Sequence, residues 1–268
     1  MAESHELRVE WRGAVAVLTL DRPHRRNALT AALYAQLHHA FDEADRRGAK
    51  GVLLTGTGGA FCAGQDLDER RPRADGTPYD LGASLRSTLN PLILRIVSAP
   101  YPVASFVGGV AAGAGASIAF ASDIVVASRS ARFLMAFSRI GLGPDGGASF
   151  FLPRLVGRAR AGAMLLLAAP VDAQTAHDWG IASKLVDDDA LDHELDGLAE
   201  RLNAASAPAL AATKRLLAYE ELAAQLEAEA LSQHELGLGE DYGEGVRAFL
   251  EKRPARFAAT AEERGAVR

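Results

Sequence analysis

A chain of 268 residues with 49% apolar and 24% charged side chains holds enough apolar material for one large folded core, which excludes a disordered or fibrous protein. Its 29 basic and 34 acidic residues give a net charge of −5 without like-charge blocks, which excludes the basic footprint of a nucleic-acid or anionic-membrane binder. The single cysteine, Cys62, excludes an internal disulfide and fits a reducing compartment, so a cytoplasmic location is expected.

Along the chain, Met1–Arg8 has neither the basic nor the apolar region of a secretory signal. Val15–Leu20 and Gly51–Thr55 are short apolar runs bounded by turn residues and predict buried strands. Between them, Thr30 is placed to cap a helix running to about Arg47, with Leu33, Leu37 and Phe41 on one stripe. Residues 70–80, rich in Arg, Pro, Gly and Asp, read as a mobile loop, and a helix is expected over 83–97, ahead of Pro100. Ile96–Ser122 carries no charge over a length that would cross a bilayer. Pro100, Pro102 and four glycines argue instead for a strand over Val103–Val107, a loop, and a buried helix over Gly115–Ala121. A fourth strand is expected over Ile124–Ala127, and alternating strands and helices predict an α/β core. From about Asp172 the pattern is helical, with candidates at Leu191–Asn203, Ala209–Glu235 and Asp241–Glu251 and with Pro208 in a tolerated first turn. Leu216, Tyr219, Leu222, Leu226 and Ala230 form a stripe that fits packing on the same domain or a subunit interface equally well.

Several chemistries are absent from the pattern. The seven histidines show no metal-ligand spacing, there is no Gly-x-Ser-x-Gly elbow, and Thr55–Gly59 is neither a Walker loop nor a dinucleotide fingerprint. Cys62 has no basic neighbour in sequence to activate it. What remains is a contrast. Ala60–Leu67 (AFCAGQDL) and Ala111–Ser117 (AAGAGAS) are small-residue segments that offer bare backbone N–H groups, the raw material of an oxyanion hole. Gly141–Gly147 (GLGPDGG) offers one carboxylate, Asp145, whose position before a helix fits an N-cap as well as a catalyst. Asp66 and Asp123 read as turn and cap residues.

These pieces together resemble the crotonase (enoyl-CoA hydratase/isomerase) superfamily. The likeness is carried by Leu20–Leu29 (LDRPHRRNAL), Ala60–Leu67, Gly109–Ala116 (GVAAGAGA), Ser122–Ile124 (SDI), Ala176–Ile181 (AHDWGI) and Tyr242–Arg253 (YGEGVRAFLEKR). Their order and spacing span nearly the whole chain. The resemblance implies an α/β fold, a spiral of ββα units over residues 1–200, followed by a helical region over 201–268 that builds trimers, often paired as hexamers. It implies an acyl-CoA thioester substrate whose carbonyl oxygen sits between the backbone N–H groups of Gln65 and Ala114. Ala63, Gln65, Asp66, Leu67, Asp68, Ala114 and Phe137 would line the substrate, with the CoA against Arg25 and Arg26. Lys252, from the same or a neighbouring subunit, would meet a phosphate. Residues 70–85 would line the acyl pocket. No metal or redox cofactor is implied, because CoA is part of the substrate.

Two departures direct the reading. The glutamates that hold and activate water in the family's hydratases fall at Ser117 and Phe137, neither of which is a carboxylate. Some Δ3,Δ2-enoyl-CoA isomerases of the superfamily place their one catalytic acid at the position of Asp145. A narrower likeness, through Phe61–Leu67, Ala111–Ala116, Met135–Ser138 (MAFS), Pro144-Asp145 and Leu152–Arg154 (LPR), is to the 1,2-epoxyphenylacetyl-CoA isomerases of phenylacetate degradation. Gly108 stands where Asn is usual in that group, so a local loop change is expected. The expected activity is therefore isomerisation of a CoA thioester by a single Asp base, in fatty-acid or phenylacetate breakdown. A hydratase using Asp68 or Glu69, and a non-catalytic acyl-CoA-binding protein, are the alternatives.

Overall fold

The computed structural model describes residues 6–70, 79–218 and 221–257. It opens with β1 (Leu7–Arg12), β2 (Val15–Leu20), α1 (Ala31–Arg46), β3 (Gly51–Gly56) and β4 (Ala60–Cys62). There follow α2 (Leu81–Ser87), α3 (Leu89–Ser98), β5 (Val103–Val107), β6 (Val110–Ala112), α4 (Ala114–Ala121), β7 (Ile124–Ser128) and β8 (Arg132–Leu134). Then come α5 (Ala148–Val156), α6 (Arg158–Leu167), β9 (Val171–Asp172), α7 (Ala173–Asp178) and β10 (Lys184–Val186). Four helices close the chain: α8 (Leu191–Ala204), α9 (Ala207–Leu216), α10 (Leu222–Gly237) and α11 (Glu240–Leu250).

Two sheets result. The larger has the order β1-β2-β3-β5-β7-β10, parallel except for the β1–β2 hairpin; the smaller has the order β4-β6-β8-β9. Each pass of the chain lays one strand in the larger sheet, turns sharply and lays a short strand in the smaller one. Gly109, at φ +72°, makes one of these turns, where any Cβ would run into the carbonyl of Gly59. Val103–Val107 is buried throughout because both sheet faces are covered. On the outer face, Val15, Val17, Leu53 and Phe106 pack on Leu195, Leu198 and Leu202 of α8. On the inner face, Ala16, Leu18, Val52 and Leu54 join the main core with Leu33, Leu37 and Phe41 of α1.

The Thr30 cap forms as the sequence predicts: its side chain accepts from the Leu33 N–H at 3.0 Å. The helix expected over 83–97 is two helices, broken at Thr88. Pro91 explains the break, because a proline lacks the N–H for residue 87 and its ring would crowd that carbonyl; in the first turn of α3 it is tolerated. The helix expected over 209–235 is also divided. Lys214 holds α9 to the core, donating to the carbonyls of Ile96 at 2.7 Å and Tyr101 at 3.0 Å and pairing with Asp123 at 2.6 Å. α10 instead runs against α2, so closely that a Cβ on Gly82 would lie 2.6 Å from the Ala230 carbonyl. Of the predicted stripe, Leu222, Leu226 and Ala230 are buried, Leu216 is exposed, and Tyr219 lies outside the described residues, as does most of the 70–80 loop. No helix among the described residues is long and apolar enough to cross a membrane.

Lys214 is a buried cation with three acceptors around it, so removing it strands a carboxylate and two carbonyls. Lys214→Met is expected to destabilise the fold by about 3 kcal/mol. Urea unfolding checks this: the midpoint falls while the slope stays unchanged.

Candidate active site

The site begins where main chain meets main chain. After β4, Gly64 adopts φ +91°, and a Cβ there would stand 2.8 Å from the Ala112 carbonyl and 3.4 Å from the Ala114 N–H. Only glycine lets these segments touch. Leu29 then clamps the turn from its other side: its N–H donates to the Gly64 carbonyl at 2.7 Å, and its carbonyl accepts from Asp66 N–H at 2.9 Å. The N–H of Gln65, between those two bonds, faces away from Leu29 and donates to nothing among the described residues.

The second donor sits at the start of α4. Gly113 (φ +49°, ψ −126°) turns the chain into the helix, whose first internal bond runs from Ser117 N–H to the Gly113 carbonyl. Ala114 therefore presents an N–H without an intrahelical acceptor. Gly115 allows the helix to lie on β4, since a Cβ there would fall 2.6 Å from Cys62 Cβ and 2.8 Å from its Sγ. Cys62 thus packs beneath the helix, and burial pushes its thiol up to about 12, which removes it as a nucleophile. The ring of Phe137 reaches within 3.7 Å of the Cβ position of Gly113 and lines the second donor.

Asp145 is 4% exposed, and its Oδ1 has no hydrogen-bond partner. It does not cap α5. The helix start is capped from a distance by Glu229 of α10, which accepts from Gly147 N–H at 2.7 Å and from Ser149 N–H and Oγ at 2.9 and 2.6 Å. Ser117 holds the Asp145 peptide instead of replacing a catalytic glutamate: its Oγ donates to the Asp145 carbonyl at 2.9 Å. Burial and then the nearby Glu229 charge raise the Asp145 carboxyl from 3.8 to about 7, against a smaller lowering effect of Arg70. Burial also raises the Glu229 carboxyl, with its three donors opposing.

The remaining predicted residues divide. Arg25 pairs with Asp68 at 3.0 Å on the exposed rim, and the half-buried Ala63 donates to the carbonyl of Arg26 at 2.9 Å. Leu67 opens the short turn Leu67–Arg70 beside them. Asp66 faces inward, pairing with Arg22 at 3.1 Å and accepting from Asp68 N–H, so its role is to hold the turn. Asp123 anchors Lys214 and accepts from Val103 N–H, and caps no helix. Lys252 lies past α11, exposed, with no side-chain bond among the described residues. Glu69, a candidate substitute acid, accepts from Ala31 N–H at 2.8 Å.

Four contributors escape a reading of the sequence. The Tyr242 hydroxyl is buried without a hydrogen-bond partner, the buried Tyr34 hydroxyl and Gln65 side chain interact with each other, and Arg70 is a buried cation acting on Asp145 and both tyrosines. Glu229 carries a signal in hindsight: it falls on the buried stripe of Leu222, Leu226 and Ala230, where a charge requires partners. Among the described residues no group of His, Cys, Asp and Glu could hold a metal ion.

Two bare amides and one raised carboxyl on a twin-sheet scaffold are the groups that acid–base chemistry at a polarised carbonyl uses. Residues 10–260 match the family model described as enoyl-CoA hydratase/isomerase, and the chain belongs to that family and is an enzyme of it. It is 43% identical to the 1,2-epoxyphenylacetyl-CoA isomerase of Escherichia coli K12, over 91% of this chain and 94% of the relative. It is 44% identical to a probable enoyl-CoA hydratase of Rhodobacter capsulatus, over 94% of this chain and 98% of the relative. The crystal structure of an enoyl-CoA hydratase from Mycobacterium avium subsp. paratuberculosis superposes with a TM-score of 0.84 at 34% identity, covering 94% of this chain and 98% of that one.

The raised Asp145 carboxyl has a consequence for stability. The folded state binds this proton more tightly than the unfolded chain, so stability from this group falls as pH rises from about 4 to about 7. Asp145→Asn is therefore expected to be more stable than the parent at pH 8, by up to about 4 kcal/mol. That advantage vanishes below about pH 4. Urea unfolding at the two pH values measures this, whereas loss of a helix cap would destabilise at both.

Proposed function

We propose that the chain is an acyl-CoA isomerase that works through an enolate of the thioester, with Asp145 as its single base. The observation that carries this is the buried Asp145 carboxyl, with a free Oδ1 and a proton affinity near pH 7, on a residue whose main-chain carbonyl is held by Ser117 of α4. The N–H groups of Gln65 and Ala114 polarise the thioester carbonyl and take up the charge that develops on its oxygen, each good donor contributing about 3 kcal/mol in comparable sites. Asp145 removes a proton from C2 of a 3-enoyl thioester. The electron pair delocalises over the dienolate, and the same carboxyl returns the proton at C4, leaving the 2-enoyl thioester. A pKa near the working pH suits a group that is base and then acid. With 1,2-epoxyphenylacetyl-CoA, the substrate in the name of the Escherichia coli relative, the same donors would assist opening of the ring epoxide towards the oxepin. Arg25 and Asp68 on the rim would meet the CoA, and Lys252 a phosphate. The exposed apolar side chains of Leu216, Leu217, Phe249 and Leu250 support a trimer or a dimer of trimers built through the C-terminal helices.

Hydration of a 2-enoyl thioester is the second reading, favoured by the 44% identical relative described as a probable hydratase. Against it, Ser117 is turned to a backbone carbonyl and Phe137 is apolar. Asp68 and Glu69 are engaged at the rim, and Glu229 is committed to three donors.

The absorbance of the conjugated enoyl thioester separates the two. With a 3-enoyl-CoA, conjugation should appear; with crotonyl-CoA, absorbance should persist. Rapid loss of crotonyl absorbance would establish a hydratase. Asp145→Asn should cut isomerisation by about 10³-fold or more while acyl-CoA still binds.

The pH profile gives an independent check. The base must be ionised in the free enzyme, so kcat/KM should rise through about pH 7. Glu229 raises the Asp145 pKa by repulsion, so Glu229→Gln should move that midpoint to lower pH.

A further inference from the structure

Arg70 ends the short turn after Gln65 and is 8% exposed, yet it makes no hydrogen bond or ion pair among the described residues. Its guanidinium lies 5.6 Å from the centre of the Tyr79 ring, whose hydroxyl is fixed to Ser84 at 3.1 Å. A guanidinium carries five N–H donors and no acceptor, and those of Arg70 are left uncommitted to other protein groups among the described residues. Its charge acts on Asp145, on the Tyr34 hydroxyl and on the Tyr242 hydroxyl. No salt bridge joins it to Asp145 among the described residues, and Asp145 Oδ1 has no hydrogen-bond partner.

The groups around it are matched in kind. Tyr34 and Tyr242 bring hydroxyls and Gln65 brings a carboxamide, all buried; the Tyr34 hydroxyl and the Gln65 side chain interact with each other, and the Tyr242 hydroxyl has no hydrogen-bond partner. They come from three separate parts of the fold, α1, the Gln65 turn and α11. Donors that converge beside one cation with bonding capacity to spare suit an acceptor from outside the chain. A plain hydrocarbon acyl chain would offer nothing to Arg70 or to the Tyr242 hydroxyl.

We propose that Arg70, with Tyr34, Tyr242 and the Gln65 side chain, forms an oxygen-binding subsite in the acyl pocket, so that the enzyme takes acyl-CoA thioesters whose acyl part carries an oxygen function. A ring oxygen, a carbonyl or a distal carboxylate shares the needed chemistry. This rests on the acyl-CoA reading of the site but not on which reaction follows, because it concerns only how the acyl group is held. Arg70 is a specificity-determining residue in this account.

Unreactive thioesters test it without turnover. Isothermal titration would compare hexanoyl-CoA with hexanedioyl-CoA, and phenylacetyl-CoA with 2-hydroxyphenylacetyl-CoA. In at least one pair the oxygenated member should bind about tenfold tighter or more, as expected for hydrogen bonds to a buried charged donor. Preference for hexanedioyl-CoA marks an anionic acyl group and preference for 2-hydroxyphenylacetyl-CoA a neutral oxygen, and either supports the subsite. Arg70→Met should bring the ratio of affinities to near one. Tyr242→Phe, a milder change that keeps the ring, should lower the ratio in part and covers the case in which the arginine variant does not fold. Equal affinities within both pairs, or a preference untouched by both variants, overturn the subsite while leaving the acyl-CoA reading intact. Failure of all four thioesters to bind overturns both.

Discussion

Everything in the site depends on two main-chain segments approaching closer than any side chain would allow. Gly64 lies against Ala112 and Ala114, and Gly115 lies against Cys62, so the turn after β4 and the start of α4 touch backbone to backbone. The donors at Gln65 and Ala114 are by-products of that contact: one is left over by a single bridge to Leu29, the other by the geometry of a helix start. Main-chain donors held this way lose no side-chain freedom when a carbonyl arrives, which is the physical advantage of building a hole from glycine turns. The same constraint explains why Cys62 is small and buried, and why its thiol stays protonated.

A second, longer-range arrangement sets the acid. A helix beginning at residue 148 needs its first N–H groups satisfied, and a local Asp is the usual means. Here Glu229, from a helix that also packs on α2, satisfies them. The consequence is double. Asp145 is released from capping, with one oxygen free, and a second buried carboxylate now stands near enough to raise its pKa. Structural support and electrostatic tuning are thus one interaction, and a C-terminal helix sets the proton affinity of Asp145. α11 extends the same logic: Gly245 lets it lie on Ile140, which brings Tyr242 to the site.

Much of this was legible in the residues. The strands over 15–20, 51–56, 103–107 and 124–128 announce themselves because a parallel sheet buried on both faces is written as unbroken apolar runs. The smaller sheet is not legible, because three-residue strands such as Ala60–Cys62 carry no period and contain small residues for reasons of the site. The break at Thr88 is written in Pro91, four residues after Ser87. The division between α9 and α10 is not, since it comes from two tertiary anchors, Lys214 and the α2 contact, that pull neighbouring segments to different places. Cap and catalyst could not be told apart at Asp145 for the same reason: the true cap lies 82 residues away from the amide it satisfies. Arg70, Tyr34 and Tyr242 are ordinary residues in sequence and become a group only in three dimensions.

The positions 117 and 145, where the resemblance and the proposed mechanism put acids, are coupled by packing. Gly146, at φ +61°, places its Cα so that a Cβ would fall 2.8 Å from Ser117 Cβ, and Ser117 Oγ binds the neighbouring Asp145 carbonyl. The loop that carries the acid therefore rests directly on the side chain at 117. A glutamate there would need the space the loop occupies and would forfeit the hydroxyl that fixes Asp145. A longer side chain at 117 is therefore compatible only with a displaced 145–147 turn. On the proposed mechanism, packing as well as the identity of the acids would then favour moving a proton along the substrate over holding a water.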